Sequence, residues 1–243
     1  MKMNYVRFEE SKASYIAQFS TSFGNMKTFV PPQLKDVAQK LSGATLLSRQ
    51  YFVVANELRA KAHEEAEKRG SEFDALYVIP ATILFCTSVE SYFNEQLAAL
   101  AMELNDKKIL EDIEALKHST NEFRKATKRY TAIYRIFDPK EIGIDTKGPV
   151  YTDLLALTAL RNSLIHYSPQ FIDHVAWPQS LEQVLQRTKI QIINSDWVSN
   201  LCKISVTDWS HSVSKNAIQE FCRISGRTDP FNSSQYPYPF CWE

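Results

Sequence analysis

At 243 residues with no net charge, the chain can bury a sizeable core, and it lacks the bulk positive charge that drives non-specific nucleic-acid binding. A composition of 44% hydrophobic and 23% charged residues is that of an ordinary globular protein, so any contact with a polyanion must be made by a local patch. Only 6 glycines occur, which together with long periodic segments favours helices.

In chain order, residues 1–30 have weak periodicity, Pro31-Pro32 marks a helix start, and residues 1–40 read as an N-terminal arm. The pattern from 45 to 69 is helical, with a charged end and Gly70 as its stop. A second long helix is expected over 73–104, either starting or kinking at Pro80. A third, polar helix is expected over 106–136, broken by Asp138-Pro139. The fourth runs over 150–167 and stops at Ser168-Pro169. Further helices are expected over 179–190 and 206–224, the latter with Trp209, Val213, Ala217 and Phe221 on one face. The aromatic, proline-bearing segment 227–243 is too apolar for a free tail and is expected to dock on the body. No segment alternates as a strand does. The fold class is therefore all-α: a helical bundle over 41–170, followed by a helical C-terminal extension over 171–243.

Several classes are set aside. The cysteines Cys86, Cys202, Cys222 and Cys241 show no CxxC spacing, and His63, His118, His174 and His211 have no ligand-like companions. No metal is expected. No phosphate-binding glycine loop is present, so no cofactor is expected either. Residues 1–18 lack the apolar core of a signal peptide, and the apolar run 75–86 is too short to cross a bilayer. A cytoplasmic, reduced chain without membrane contact is the expectation.

Two charges stand out. The second helix carries the stripe Ile83, Cys86, Glu90, Phe93, Leu97, Leu100, Leu104, apolar at every position but Glu90. The fourth carries Leu154, Leu157, Arg161, Leu164, apolar at every position but Arg161. Such stripes face a core, where an unpaired charge is costly. Glu90 and Arg161 are therefore expected to meet at one end of the bundle. Asn162 and His166 are four apart and share a face near the same helix end. Arginine holds negative charge and histidine moves protons near neutral pH, a sufficient pair for chemistry at phosphate.

The segment Arg161-Asn162-Ser163-Leu164-Ile165-His166 resembles the R-N-x-x-x-H motif of HEPN domains (higher eukaryotes and prokaryotes nucleotide-binding). The segment 87–95 is similar to the second helix of that family, where a Glu and an Asn recur four apart, as Glu90 and Asn94 do here. The likeness covers about residues 40–170. It implies a four-helix up-down bundle and a homodimer joined through the Arg161–His166 helix. It also implies a metal-independent endoribonuclease, commonly in a toxin–antitoxin or phage-defence setting with an antitoxin or defence-system partner protein. Some members carry a Tyr two residues beyond the His. Here Ser168 stands at that position, so the resemblance assigns Tyr167 no role.

On that reading Arg161, His166 and Asn162 are the catalytic candidates, with Glu90 and Asn94 supporting. The 2′-OH of RNA would attack the neighbouring phosphorus, leaving a 2′,3′-cyclic phosphate and a 5′-hydroxyl. A cationic, aromatic-interleaved stretch over 117–140 offers Arg124, Lys125, Lys128 and Arg129 as RNA contacts. The alternative is a non-catalytic helical module that binds a partner protein or nucleotide through the same cleft.

Overall fold

The computed structural model describes residues 47–71, 74–104, 126–138, 140, 142–166, 182–189, 197–232 and 242. The elements are α1 (Leu47–Arg69), α2 (Ala75–Leu104), α3 (Ala126–Phe137), α4 (Pro149–Ile165), α5 (Glu182–Thr188), α6 (Trp197–Leu201) and α7 (Ile204–Ser225). No strand occurs among the described residues, so the fold is all-α.

Each helix boundary has a local cause. α1 buries Ser48, Phe52, Ala55 and Ala62 at helical spacing, and Gly70 ends it at φ +63°, a conformation that side chains other than glycine rarely adopt. Its first turn is capped from another helix. The Glu95 carboxylate accepts from the Ser48 amide at 2.9 Å and the Ser48 hydroxyl at 2.5 Å. Asp74 caps α2, accepting from the Tyr77 amide at 3.1 Å. α2 starts ahead of Pro80 rather than at it, and the proline lies within the helix. α4 has Pro149 in its first turn, where the missing N–H costs nothing. It ends at Ile165, two residues before the expected Tyr167.

α2 and α7 form the centre. α2 packs on α1, α4 and α7, and α7 packs on α1, α2, α3, α4 and α5. Phe93, Tyr134, Leu157 and Phe221 therefore belong to one buried cluster. The C-terminal helix is part of the same core as the residues ahead of position 170. Phe231 and Trp242 join it too, both packed against Phe52 at ring separations of 4.9 and 5.7 Å. The segment Ala75–Leu100 is long and apolar enough to cross a membrane by length and composition, a broader span than the expected 75–86 run. Half of it is buried inside the fold, as a central core helix requires.

α3 and α4 are joined by a loop organised around Asp138. Its carboxylate accepts backbone N–H groups from Lys140 at 2.9 Å, Ile142 at 2.9 Å and Gly143 at 2.7 Å. Gly143, at φ +79°, closes the turn. This latch shapes the turn between α3 and α4, while the Tyr130–Thr158 and Tyr151–Thr131 contacts tie the helices together.

Candidate functional site

The site is assembled from α2, α3 and α4. Glu90 faces inward from the middle of α2, on the side of Cys86 and Phe93. Arg161 faces it from the last turns of α4, and Arg129 from the first turn of α3. Arg129 Nη2 donates to Glu90 Oε1 at 2.7 Å, and Arg161 Nη2 donates to the other oxygen, Oε2. The side chains of Glu90, Arg161 and Arg129 are 16%, 19% and 31% exposed, so the group lies at the edge of the core and opens outward on the Arg129 side.

Buried hydroxyls underlie this ion group. Tyr130 OH and Thr158 Oγ1 are 3.0 Å apart, and Thr158 in turn donates to the Leu154 carbonyl at 2.9 Å. Tyr130 OH lies 3.5 Å from Glu90 Oε1 and 3.4 Å from Arg129 Nη2. The Arg129 guanidinium sits over the Tyr130 ring, 5.1 Å from its centroid. Burial pushes the Tyr130 phenol well above its usual range, so it stays a neutral donor and acceptor. Burial and then the nearby Glu90 charge push the Cys86 thiol up to about 12, which makes it a packing group rather than a nucleophile.

Beyond the ion group, α4 carries the remaining candidates. Arg161 Nη1 donates to Asn162 Oδ1 at 2.8 Å. Arg161 Nε is buried without a hydrogen-bond partner among the described residues. Asn162 is exposed. His166 is the C-cap of α4, and its amide donates to the Asn162 carbonyl at 3.0 Å. The imidazole is exposed, one turn beyond Asn162. The structure therefore joins Glu90, Arg161 and Asn162 by direct contact, and His166 follows as the C-cap of the same helix, its side chain in no hydrogen bond with the three among the described residues.

The other sequence candidates fall elsewhere. Asn94 is exposed on α2, and no contact among the described residues ties it to Glu90 or Arg161. Lys128 is exposed on α3. Arg124 and Lys125 lie outside the described residues. Arg129, read from the sequence as one cation in a landing surface, is also the second guanidinium on Glu90. Tyr130 was read only as an aromatic in the 117–140 landing surface, and Thr158 was not singled out. The signal that pointed to them was Glu90 itself, because a carboxylate on a core stripe has two oxygens to satisfy and one arginine leaves capacity for more.

A second polar group lies between α1 and α7. Asp208 Oδ1 accepts from Arg59 Nε at 2.5 Å and contacts His63 Nε2 at 2.9 Å. Among the described residues, no three His, Cys, Asp or Glu side chains are grouped to hold a metal ion. Comparison of the chain with protein-family models, with curated proteins and with solved structures finds no match.

Proposed function

We propose that this protein is a metal-independent endoribonuclease of HEPN type, acting as a homodimer. The observation that carries the reading is the placement of Arg161. A charge on an otherwise apolar stripe is costly, yet here it is held at a helix end by Glu90 and Asn162, with the exposed imidazole of His166 one turn on. The likeness of Arg161–His166 and of the 87–95 segment to that family supports the same reading. On this view α1 to α4 are the helices of the bundle, and α7 shares their core.

The chemistry follows from the residue types. Transesterification of RNA needs a base for the 2′-OH, an acid for the departing 5′-oxygen, and positive charge for the phosphorane. Arg161 supplies the charge through a planar fork matched to phosphate. Asn162 holds that fork in place. One histidine does not serve both proton transfers at once. Two copies of His166, brought together across a two-fold axis, serve as base and acid. Ile165, 49% exposed and next to His166 in sequence, gives the α4 end an apolar side chain for that contact.

The test is cleavage of total RNA and of a labelled tRNA by the purified protein in EDTA, beside His166→Ala and Arg161→Ala. Cleavage by wild type alone, leaving 2′,3′-cyclic phosphate ends, is expected. Intact RNA with a folded dimeric wild type overturns the reading in favour of a non-catalytic binding module.

A further inference from the structure

We propose that Arg129 is a second phosphate-binding residue, which holds the RNA phosphate next to the one that Arg161 takes. The assignment of that first phosphate to Arg161 rests on the ribonuclease reading. The subsite itself rests on the geometry around Glu90.

Neutralising Glu90 requires one guanidinium, and Arg161 already provides it. Arg129 adds a second, so one carboxylate is flanked by two cations and the group keeps a net positive charge. That surplus is placed at the surface, because Arg129 is the most exposed of the three side chains. Its orientation is fixed before any ligand arrives. Nη2 is tied to Glu90 and to Tyr130 OH, and the guanidinium plane rests over the Tyr130 ring. The Tyr130 hydroxyl is itself fixed by Thr158. Among the described residues, the Nε and Nη1 groups of Arg129 have no hydrogen-bond partner. A pre-oriented, partly exposed guanidinium suits a phosphate oxygen, since little side-chain freedom is lost on binding. Arg129 and Arg161 reach opposite oxygens of one carboxylate from different helices, so two cations stand side by side at one site, each able to meet its own anion. A single-stranded RNA presents such anions in succession along its backbone.

The test compares binding of a 2′-deoxy dinucleotide, which has one phosphate, with a 2′-deoxy trinucleotide, which has two, by titration calorimetry in low salt. Neither can be cut, so the result stands apart from whether the protein is a nuclease, and the cleavage assay reads that separately. Wild type is expected to prefer the trinucleotide by about tenfold, the worth of one charge-assisted phosphate contact. Arg129→Gln is expected to bring the ratio close to one. Arg129→Lys keeps the pairing with Glu90 and the charge but loses the fork, so an intermediate ratio is expected even if Arg129→Gln folds poorly. The log–log salt slope for the trinucleotide should fall by about one in Arg129→Gln. An unchanged trinucleotide-to-dinucleotide ratio in both variants overturns the proposal, as does failure of the wild type to bind either oligonucleotide. Cleavage that depends on His166 alongside an unchanged ratio would retain the nuclease and remove the subsite.

Discussion

Arg129 and Arg161, on different helices, donate to opposite oxygens of the same Glu90 carboxylate. The carboxylate is therefore the element that keeps two like charges together at the edge of a core. Removing it leaves them facing each other with no counter-charge. Glu90→Ala is expected to destabilise the fold by about 2–3 kcal/mol, as breaking a mostly buried ion pair does. Glu90→Gln keeps the shape and one acceptor, and should cost less. A double-mutant cycle between Glu90→Ala and Arg161→Ala, read by urea unfolding, should show coupling of about 1–2 kcal/mol. Additive losses would mean that the pair contributes nothing beyond its separate parts.

The Asp138 latch governs the same site from a distance. It fixes the turn that joins the helix of Arg129 to the helix of Arg161. Burial pushes the Asp138 carboxyl up, but three backbone N–H groups and Lys140 outweigh it and hold the carboxyl below its usual range. A carboxylate with a lowered folded value contributes stability above its unfolded value of 3.8, and the contribution is lost as pH falls through the folded value. Asp138→Asn replaces one of two acceptor oxygens with a donor that faces other donors. A loss of about 1–2 kcal/mol near neutral pH is expected, with a shallower acid limb in the unfolding profile. Equal acid limbs in the two proteins would show that another carboxylate sets the acid sensitivity.

The Glu90–Arg161 contact was legible in the sequence because each residue is the only charge in an apolar stripe. Two such misfits on neighbouring helices have one inexpensive solution, which is to meet. Arg129 carried no such mark. It sits in a run of lysines and arginines, and the rotation of α3, which buries Tyr130, Ile133, Tyr134 and Phe137, decides which of them turns inward. The helical face of Val213, Ala217 and Phe221 was also legible, since periodicity reports which side of a helix is buried. It does not report against what. The entry of α7 into the core of α2 and α4 depends on contacts distant in sequence. The short helix Trp197–Leu201 was missed because five residues complete too little of a turn pattern to show a period.

Trp242 provides a test of the docked C-terminus. It is 7% exposed and packs on Phe52, Tyr92 and Phe231, while its amide donates to the Pro230 carbonyl at 3.1 Å. Trp242→Ala removes a buried aromatic from the edge of the main core. A loss of about 3 kcal/mol is expected from large-to-small truncation, measured by denaturant midpoint at constant slope. Trp242→Phe should recover more than half of it. An unchanged midpoint in Trp242→Ala would mean that the C-terminus contributes no net stability.

His211 should make the fold acid-sensitive at a higher pH than its carboxylates do. It lies between α1, α2 and α7, with its ring 5.4 Å from both Phe52 and Phe85. Burial lowers its pKa first, the charges of Arg59 and Lys215 lower it further, and Asp208 opposes them, for a value of about 4 against an ordinary 6.5. The folded state therefore prefers the neutral ring, and the unfolded chain takes up the proton more readily. The sign follows from that difference. The contribution is fully present above pH 6.5, declines as pH falls towards about 4, and is flat below. Because the ring is only half-buried, solvent screening reduces the effect to about 1–2 kcal/mol across that window. His211→Gln keeps a polar group of similar reach that takes up no proton. Its stability curve, followed by urea midpoint from about pH 4 to 8, should lie below wild type near neutrality and converge with it in acid. The difference between the two curves cancels the titrating groups that do not interact with His211, and Asp208, which does, titrates mainly below the window. Parallel curves would show that His211 is as easily protonated in the folded protein as in the unfolded chain.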